Sequence, residues 1–265
     1  MLDRFDREIS YLRISVTEHC NLLCSYCVPV GCVLKQSNDD RLSAETIIRI
    51  VREAEAVGIR KVRLTGGEPL VRKDIVEIVA GIKECSHIEH LAMTTNAVLL
   101  PRYAERLRDA GLDTVNISLD SLDDNKYADL TRNGRLEHAM RGIEAARSVG
   151  FTIKINMVVF NETGDSEVQA MQRFCDENGM ALQLINHYDL TSTKFNRYRF
   201  DRPPNCLECN RIRLLADGCL KPCLHSNDEI PVDMENICES LERAVFAKPL
   251  YGTVCTNRSM VQIGG

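Results

Sequence analysis

The chain has 265 residues, of which 44% are hydrophobic, and a formal net charge of −5. This length suits one large domain, or a large domain with a small appendage, and the negative charge argues against a nonspecific nucleic-acid binder. No apolar run approaches the roughly 18–20 residues that span a bilayer, and the N-terminus lacks the apolar core of a secretory signal. We therefore predict a cytoplasmic protein that binds neither nucleic acid nor membrane. Its twelve cysteines then serve metal or redox chemistry rather than disulfides.

Strands and helices alternate from about residue 12 to residue 186. One predicted helix follows Ser43, a candidate N-cap, and carries Ile47, Ile48, Val51 and Ala54 on one face. The six predicted strands cover residues 12–17, 61–65, 91–95, 114–120, 152–160 and 181–186. Repeated βα units indicate an α/β fold with a parallel sheet, and six of them predict a partial (β/α)6 barrel rather than a closed eight-stranded one.

Several of these strands alternate polar and apolar residues, whereas a parallel strand covered on both faces is normally apolar throughout. Successive side chains of a strand point to opposite faces, so if the apolar set packs on outer helices, the polar set lines the interior. The predicted lumen is polar and partly cationic, lined by Arg13, Arg63, Asn116, Ser118 and Lys154. An exposed sheet face with polar side chains is the alternative.

The alternation stops after residue 186. We predict that residues 1–186 form the barrel, that 187–205 form a linker, and that 206–265 form a small second module. In this module a hairpin is predicted from strands 211–215 and 220–223 around a turn at 216–218, followed by one helix near 234–247.

Three cysteines follow the first predicted strand with the spacing Cys20-x3-Cys24-x2-Cys27. Three thiolates can hold three irons of a [4Fe–4S] cluster and leave the fourth iron open for chemistry. The spacing resembles that of radical SAM enzymes, in which the open iron chelates the amino and carboxylate groups of S-adenosylmethionine (SAM). The resemblance implies that one electron then cleaves SAM and releases a 5′-deoxyadenosyl radical. A closed zinc site is the alternative, with His19 or Cys32 as a spare ligand.

The turn Gly66-Gly67-Glu68-Pro69 ends the second predicted strand. Glycines allow a close backbone approach to a ligand, and the Glu68 carboxylate is expected to receive the ammonium group of SAM. Ser118, on the fourth strand, is expected to meet the ribose or carboxylate of SAM. An ordinary βα turn and an ordinary lumen serine are the alternatives.

A second set of three cysteines has the spacing Cys206-x2-Cys209-x13-Cys223. It predicts an auxiliary [4Fe–4S] cluster whose open iron faces the barrel and binds substrate through nitrogen or oxygen. A zinc knuckle is the alternative, for which the chain offers further ligands. These are Cys219, His225 and Cys255.

Arg211 and Arg213 lie between the cysteines of this second set. On a strand they point the same way, so the two guanidinium groups can clamp a phosphate beside a cluster. Solvated strand arginines are the alternative.

Together these segments resemble the GTP 3′,8-cyclase family of radical SAM enzymes, which opens molybdenum-cofactor biosynthesis. The matching segments are 12–15 (LRIS), 61–69 (KVRLTGGEP), 94–96 (TTN), 116–120 (NISLD), 154–156 (KIN), 209–214 (CNRIRL), 216–218 (ADG), 221–224 (KPCL) and 263–265 (IGG). The resemblance covers nearly the whole chain.

The resemblance implies that Tyr26, Gly67 and Ser118 lie near SAM. The nucleotide would lie near six further residues, namely Arg13, Arg63, Thr94, Lys154, Arg211 and Arg213. In the family the adenosyl radical takes hydrogen from C3′ of GTP, and C3′ then attacks C8 of guanine. The auxiliary cluster binds the base, and the Gly-Gly segment reaches into the active site. The resemblance also implies a low-potential electron donor such as a flavodoxin or ferredoxin, and it leaves a homodimer open.

The chain departs from the family pattern at four places. The segment 187–205 is shorter, Gln183 stands where the family has an arginine, residues 187–189 (HYD) replace a Met-Pro turn, and Ala97 replaces a glycine. The candidates to replace lost basic groups are Arg197, Arg199 and Arg202. The short segment and Gln183 favour one alternative, a divergent two-cluster radical SAM enzyme that acts on another nucleotide, a small molecule or a peptide, whereas the retained basic residues oppose it. An alternative of another class is a non-catalytic iron–sulfur redox sensor.

Overall fold

Nine strands form one sheet in a computed structural model that describes residues 1–28, 42–192, 200 and 205–264. The strands are β1 (Tyr11–Ser15), β2 (Lys61–Thr65), β3 (His90–Thr95), β4 (Thr114–Ser118), β5 (Thr152–Val159), β6 (Ala181–Asn186), β7 (Arg211–Leu214), β8 (Cys219–Lys221) and β9 (Ile230–Pro231). Strands β1 to β6 are parallel and adjacent in chain order, which confirms the predicted series of six βα units.

The predicted hairpin extends this same sheet. Strand β7 pairs in parallel with β1, and β8 and β9 follow it in antiparallel order. The division into separate modules stays a prediction, since the C-terminal hairpin and the barrel strands share one hydrogen-bonded sheet. Of the predicted linker, residues 193–199 and 201–204 lie outside the described residues.

Eight α-helices lie within the described part of the chain. They are α1 (Ala44–Ala56), α2 (Ile75–Lys83), α3 (Ala104–Asp109), α4 (Asp124–Thr131), α5 (Leu136–Ser148), α6 (Asp165–Glu177), α7 (Ile237–Phe246) and α8 (Met260–Ile263). The side chain of Ser43 accepts a hydrogen bond from the Thr46 amide at 3.1 Å, which confirms the predicted N-cap of α1. None of the described helices has the length and apolar character needed to cross a bilayer.

The core lies between the sheet and these helices. Leu12 and Ile14 of β1, with Val62 and Leu64 of β2, are fully buried in one hydrophobic cluster. Helix α1 contributes Ile47, Ile50 and Val51 to it, whereas Ile48, which was predicted on the buried face, is only half-buried. Because the apolar side chains of the strands pack outward against helices, the alternate polar side chains are left for the interior.

Candidate active site

A cavity of about 350 Å³ opens on the interior face of the sheet. All six cysteines of the two motifs line it, together with every residue predicted to bind SAM or substrate. These lining residues are Cys20, Cys24, Tyr26, Cys27, Arg13, Arg63, Gly66, Gly67, Glu68, Thr94, Ser118, Lys154, Cys206, Cys209, Arg211, Arg213 and Cys223. The fold therefore brings the predicted residues to one place, while their individual roles remain predictions.

A row of three arginines crosses the wall of this cavity. Arg63 on β2 is in register with Arg13 on β1, which is in register with Arg213 on β7. Neighbouring strands lie about 4.8 Å apart, so these cations are close neighbours. Burial and then the charges of Arg213 and Arg63 lower the pKa of Arg13 well below its ordinary value. Such a row of like charges, with Arg13 and Arg213 buried and Arg63 half-buried, is suited to a multivalent anion.

A segment near the C-terminal end of the sequence enters the same row. The carbonyl oxygen of Gly264 accepts hydrogen bonds from Arg13 and Arg213, each at 3.2 Å. Gly264 has φ +71, and a Cβ there would lie 2.6 Å from the Cγ2 of Thr65. The predicted approach of the Gly-Gly segment to the site is thus visible at Gly264, whereas Gly265 lies outside the described residues.

Two neighbours fix the orientation of the cations. The guanidinium groups of Arg63 and Arg211 lie 5.8 and 5.7 Å from the ring centroid of Tyr11. In the amide orientation that satisfies both residues, the side-chain oxygen of Asn116 accepts from Arg63 at 2.9 and 2.6 Å. Asn116 was predicted as a lumen residue, and in the structure its side chain hydrogen-bonds Arg63.

Three polar atoms in the cavity wall lack a protein partner. The Thr94 hydroxyl, the Asn156 side-chain oxygen and the Arg211 Nε are buried without a hydrogen-bond partner among the described residues. Buried polar groups are nearly always paired in native proteins. These atoms therefore fit a polar ligand in the cavity, which is what a nucleotide and SAM would supply.

The first cysteine loop folds back on itself directly after β1. The Cys27 amide donates to the Cys24 carbonyl at 3.0 Å, and the Leu22 amide points to the Cys20 sulfur at 3.4 Å. Burial raises the pKa of the Cys20 thiol to about 11 and that of Cys24 to about 12. Such thiols ionise when a metal binds them. No three His, Cys, Asp or Glu side chains of the described residues converge on a single metal ion, and Cys32 lies outside those residues.

The glycine turn packs against the strand exit that leads into this loop. A Cβ on Gly66 would lie 2.4 Å from the Thr17 carbonyl oxygen, and one on Gly67 would lie 2.3 Å from that of His19. The Gly67 amide also donates to Thr17 at 2.8 Å. The sequence predicted a close approach of the turn to a ligand, and the observed close approach is to the backbone just before Cys20.

Glu68 anchors the same turn. Its carboxylate accepts from the Leu70 amide at 3.0 Å and from the Thr95 hydroxyl and the Asn96 amide at 2.7 Å each. Burial raises its pKa to about 7 despite these donors. This anchoring was missed by the sequence analysis, and the predicted contact between Glu68 and the SAM ammonium stays a prediction.

Tyr26 reaches from the cysteine loop to the far side of the barrel. Its hydroxyl donates to the Asp120 carboxylate at 2.6 Å, and the Val158 amide donates to the other oxygen at 2.8 Å. Burial raises the pKa of Asp120 to about 6. The Tyr26 ring also lies 5.7 Å from that of Phe160 and 6.5 Å from that of His187. The loop is thus tied to β5 through one buried carboxylate.

The second cysteine set lies at the start of β7 and just after β8. A Cβ on Gly252 would lie 3.0 Å from the Cys223 sulfur, so a neighbouring loop lies close against this set. Burial raises the pKa of Cys223. Burial has the same effect on Cys209, but the charges of Lys248 and Arg211 outweigh it and lower the pKa of Cys209. A cradle with thiols and nearby cations fits an anionic iron–sulfur cluster.

The three further ligands offered for a zinc site, Cys219, His225 and Cys255, do not all lie on the cavity. Cys255 is buried in a small cluster with Leu215 and Ile263, against which Cys219 packs. Neither lines the cavity, whereas His225 does. Within the described residues, His225 is thus the one of the three that shares the cavity with the second cysteine set.

Two cations near this set were missed by the sequence analysis. Arg7 donates to the Cys206 carbonyl at 2.6 Å, and Lys248 donates to the carbonyls of Arg211 and Pro222 at 2.7 and 3.0 Å. Arg7 lies outside every predicted element and Lys248 at a helix end. No periodic pattern or motif spacing pointed to either residue.

Comparison with known proteins agrees with this geometry. The model of the radical SAM superfamily matches residues 14–175. The GTP 3′,8-cyclase of Alkaliphilus oremlandii is 36% identical over 320 aligned positions, and that of Petrotoga mobilis 34% over 323, each covering 100% of both chains. These alignments exceed the 265 residues of this chain, which is therefore gapped against both relatives.

The fold also resembles a solved structure, Streptococcus suis SuiB bound to S-adenosylmethionine. The TM-score is 0.70 at 20% identity. The match covers 92% of this chain and 65% of the SuiB chain, just under two thirds of that protein. At this identity the likeness concerns the fold, and it confirms the predicted barrel class.

Proposed function

The chain belongs to the radical SAM superfamily and, within it, to the GTP 3′,8-cyclase family, and on this premise we propose that it cyclises GTP with two [4Fe–4S] clusters and SAM. In the proposed reaction, hydrogen moves from C3′ of GTP to the 5′-deoxyadenosyl radical, and C3′ then bonds to C8 of guanine as the C8–N7 double bond opens. One electron from the low-potential donor and one proton then convert the resulting nucleotide radical into the closed-shell product. The chain is an enzyme of this family, which sets aside the alternative of a non-catalytic redox sensor.

The in-register row of Arg63, Arg13 and Arg213 is the observation that carries the choice of substrate. A triphosphate brings several negative charges on a short chain, and guanidinium groups bind phosphate oxygens in a bidentate manner. The row lies in the same cavity as both cysteine sets, so phosphates held there would keep the rest of the nucleotide between them.

Cys20, Cys24 and Cys27 are the proposed ligands of the first cluster, and they are placed by contacts that need no metal. The Gly66–Gly67 turn fixes the chain before Cys20, and Tyr26 fixes the chain before Cys27. When bound, this cluster supplies the electron that cleaves SAM. The residues Gly66, Gly67, Glu68 and Ser118 line the adjoining wall, where we place SAM.

Cys206, Cys209 and Cys223 are the proposed ligands of the second cluster. With Arg211, they lie on the same cavity as the arginine row, so a base held there would share the cavity with its own phosphates. The Thr94 hydroxyl and the Asn156 side-chain oxygen, which lack a hydrogen-bond partner among the described residues, can bond the ribose that joins the base to the phosphates. Arg211 and Arg213 are proposed to act on the nucleotide directly.

A divergent enzyme with another substrate is the second candidate. It is favoured by Gln183, which lines the cavity where the family has an arginine, and by the gaps of this chain against its relatives. Such an enzyme would keep the two clusters and SAM but show no preference for GTP.

Binding of GTP to anaerobically reconstituted protein separates these candidates. We expect Arg213→Ala and Arg63→Ala each to weaken GTP binding about tenfold or more, which is about 1.4 kcal/mol per tenfold. The control is Arg147→Ala, which removes an exposed arginine paired with Glu144 and should bind GTP as the parent does. Equal GTP affinity in all four proteins, or no GTP-dependent formation of 5′-deoxyadenosine, would favour the divergent enzyme.

A further inference from the structure

Lys248 is a buried cation beside the second cysteine set. It is 1% exposed and follows α7. Its ammonium donates to the Arg211 carbonyl at 2.7 Å and to the Pro222 carbonyl at 3.0 Å. Arg211 is two residues after Cys209, and Pro222 directly precedes Cys223, so the charge lies between two cysteine-bearing segments.

The partners of Lys248 differ from those of other buried cations outside the arginine row. Arg7 pairs with Asp3 at 2.6 Å, Arg72 with Asp74 at 2.5 Å, and Lys221 with Glu229 at 3.4 Å. Lys248 pairs with no carboxylate among the described residues, and it donates instead to two backbone carbonyls. An uncompensated buried ammonium costs several kcal/mol, so a negative charge close to Lys248 is expected.

The cysteine sulfurs of the second set are groups on the same cavity wall that can carry that charge. Lys248 lines the same cavity as Cys209 and Cys223, and its two carbonyl partners lie within two residues of these cysteines. The segment that carries Lys248 is also fixed in place, because Arg7 donates to the Pro249 carbonyl at 2.8 Å. The charge is thus held at one position relative to the sulfurs.

We propose that Lys248 is the counter-charge of the second cluster, where it positions the thiolates of Cys209 and Cys223 and raises the reduction potential of the cluster. This inference rests on the proposed function, because it takes the second cysteine set as cluster ligands. Three thiolates leave a [4Fe–4S] cluster with a net negative charge that grows on reduction, so a fixed cation nearby favours the reduced form. Removing the cation should therefore make the cluster harder to reduce.

The test uses the full chain with Cys20, Cys24 and Cys27 replaced by alanine, so that the second cluster is observed alone. In this background we compare Lys248→Met, Lys248→Arg and Lys221→Met. The readouts are iron and sulfide per chain and the midpoint potential from a titration followed by electron paramagnetic resonance. Lys221→Met is the matched control, because it also removes a buried lysine near Cys223 but one whose charge is already balanced by Glu229.

We expect Lys248→Met to lower the reduced-to-oxidised ratio at fixed potential about tenfold, which is about 59 mV for a one-electron couple. Lys248→Arg and Lys221→Met should stay close to the parent. If Lys248→Met instead fails to assemble the cluster, iron retained in both Lys248→Arg and Lys221→Met supports the counter-charge.

Other outcomes overturn the inference or its premise. An unchanged potential in Lys248→Met overturns the counter-charge and leaves the second cluster standing. Equal loss of iron in Lys248→Met and Lys248→Arg, or in Lys248→Met and Lys221→Met, shows a packing effect and also overturns it. No iron in the parent background, with Lys248 intact, refutes the second cluster itself.

Discussion

At the scale of single residues, the two glycines Gly66 and Gly67 fix the position of the first cysteine loop in the cavity. Gly66 and Gly67 were predicted as functional from their motif, but the motif does not say which chain segment the turn approaches. That segment is Thr17 to His19, and it becomes a neighbour only when β1 and β2 pair. Ala97 shows a similar limit, because its φ of +67 is a left-handed conformation that sequence reasoning flagged only as a missing glycine.

Gly67→Ala should remove the first cluster. Its Cβ would lie 2.3 Å from the His19 carbonyl oxygen, which is backbone and cannot move without shifting the approach to Cys20. We expect a loss of about four irons per chain, measured by iron and sulfide counting. Gly164→Ala is the control, since its Cβ would meet nothing closer than 3.6 Å at a negative φ. Full iron content in Gly67→Ala would contradict the account of the turn.

Asp120→Asn should change the pH dependence of stability. Burial raises the pKa of Asp120 from 3.8 to about 6, so the folded chain holds this proton more tightly than the unfolded chain. The stability contributed by the protonated carboxyl is complete below pH 3.8 and is lost as pH rises through about 6. Asparagine does not titrate in this range. As pH rises across that window, the free energy of unfolding of the metal-free parent should therefore fall by on the order of 3 kcal/mol relative to that of Asp120→Asn. Urea unfolding at several pH values measures the difference in free energy of unfolding between the two proteins. A difference that stays constant with pH would contradict the raised pKa of Asp120.

At the scale of elements, the period-two alternation of the strands predicted the lumen. Strands β1 to β6 lie within one or two residues of their predicted bounds, because buried apolar residues and helix-ending glycines mark them. The pairing of β7 with β1 was not predictable, since it joins segments far apart in the chain. The arginine row depends on that pairing, so its members were predicted but their register was not.

The segment from Arg258 to Gly264, which contains α8, is held by a network of carboxylates. Arg258 pairs with Glu229 at 2.6 Å and with Asp217 at 2.7 Å, and Gln262 donates to Glu18 at 3.3 Å. These contacts lie outside the cavity, yet they place Gly264 against Arg13 and Arg213. Because these contacts join residues far apart in the sequence, no sequence motif predicted them.

Arg258→Ala should release this segment from the cavity. Two carboxylates would lose their shared partner, at a cost below the roughly 3–5 kcal/mol of a fully buried pair, because these side chains are partly exposed. We expect faster proteolytic cleavage within residues 258–264 and slower turnover of GTP, with iron content unchanged. Arg52→Ala, which breaks the exposed pair with Glu84, is the control. Protease resistance equal to that of the parent would show that the network does not hold the segment.

At the scale of the whole molecule, a chain of net charge −5 gathers a group of cations on the wall of one cavity, among them Arg13, Arg63 and Arg213. Composition alone argued only against a nonspecific nucleic-acid binder, and the strand pattern indicated where an anionic substrate could bind. The sequence predicted that the second cysteine set faces the barrel, but the arrangement of both sets and the arginine row around one cavity requires the complete sheet. Cations such as Lys248 and Arg7 were missed for the same reason.

The most direct test of the proposed reaction uses anaerobically reconstituted protein, SAM, dithionite and GTP deuterated at C3′, with the mass of the released 5′-deoxyadenosine as readout. The account predicts that 5′-deoxyadenosine gains one deuteron in a GTP-dependent reaction, since the hydrogen at C3′ is the one transferred. Unlabelled 5′-deoxyadenosine, formed at a rate indifferent to GTP, would contradict GTP as the substrate and leave a radical SAM enzyme whose cationic cavity holds another molecule.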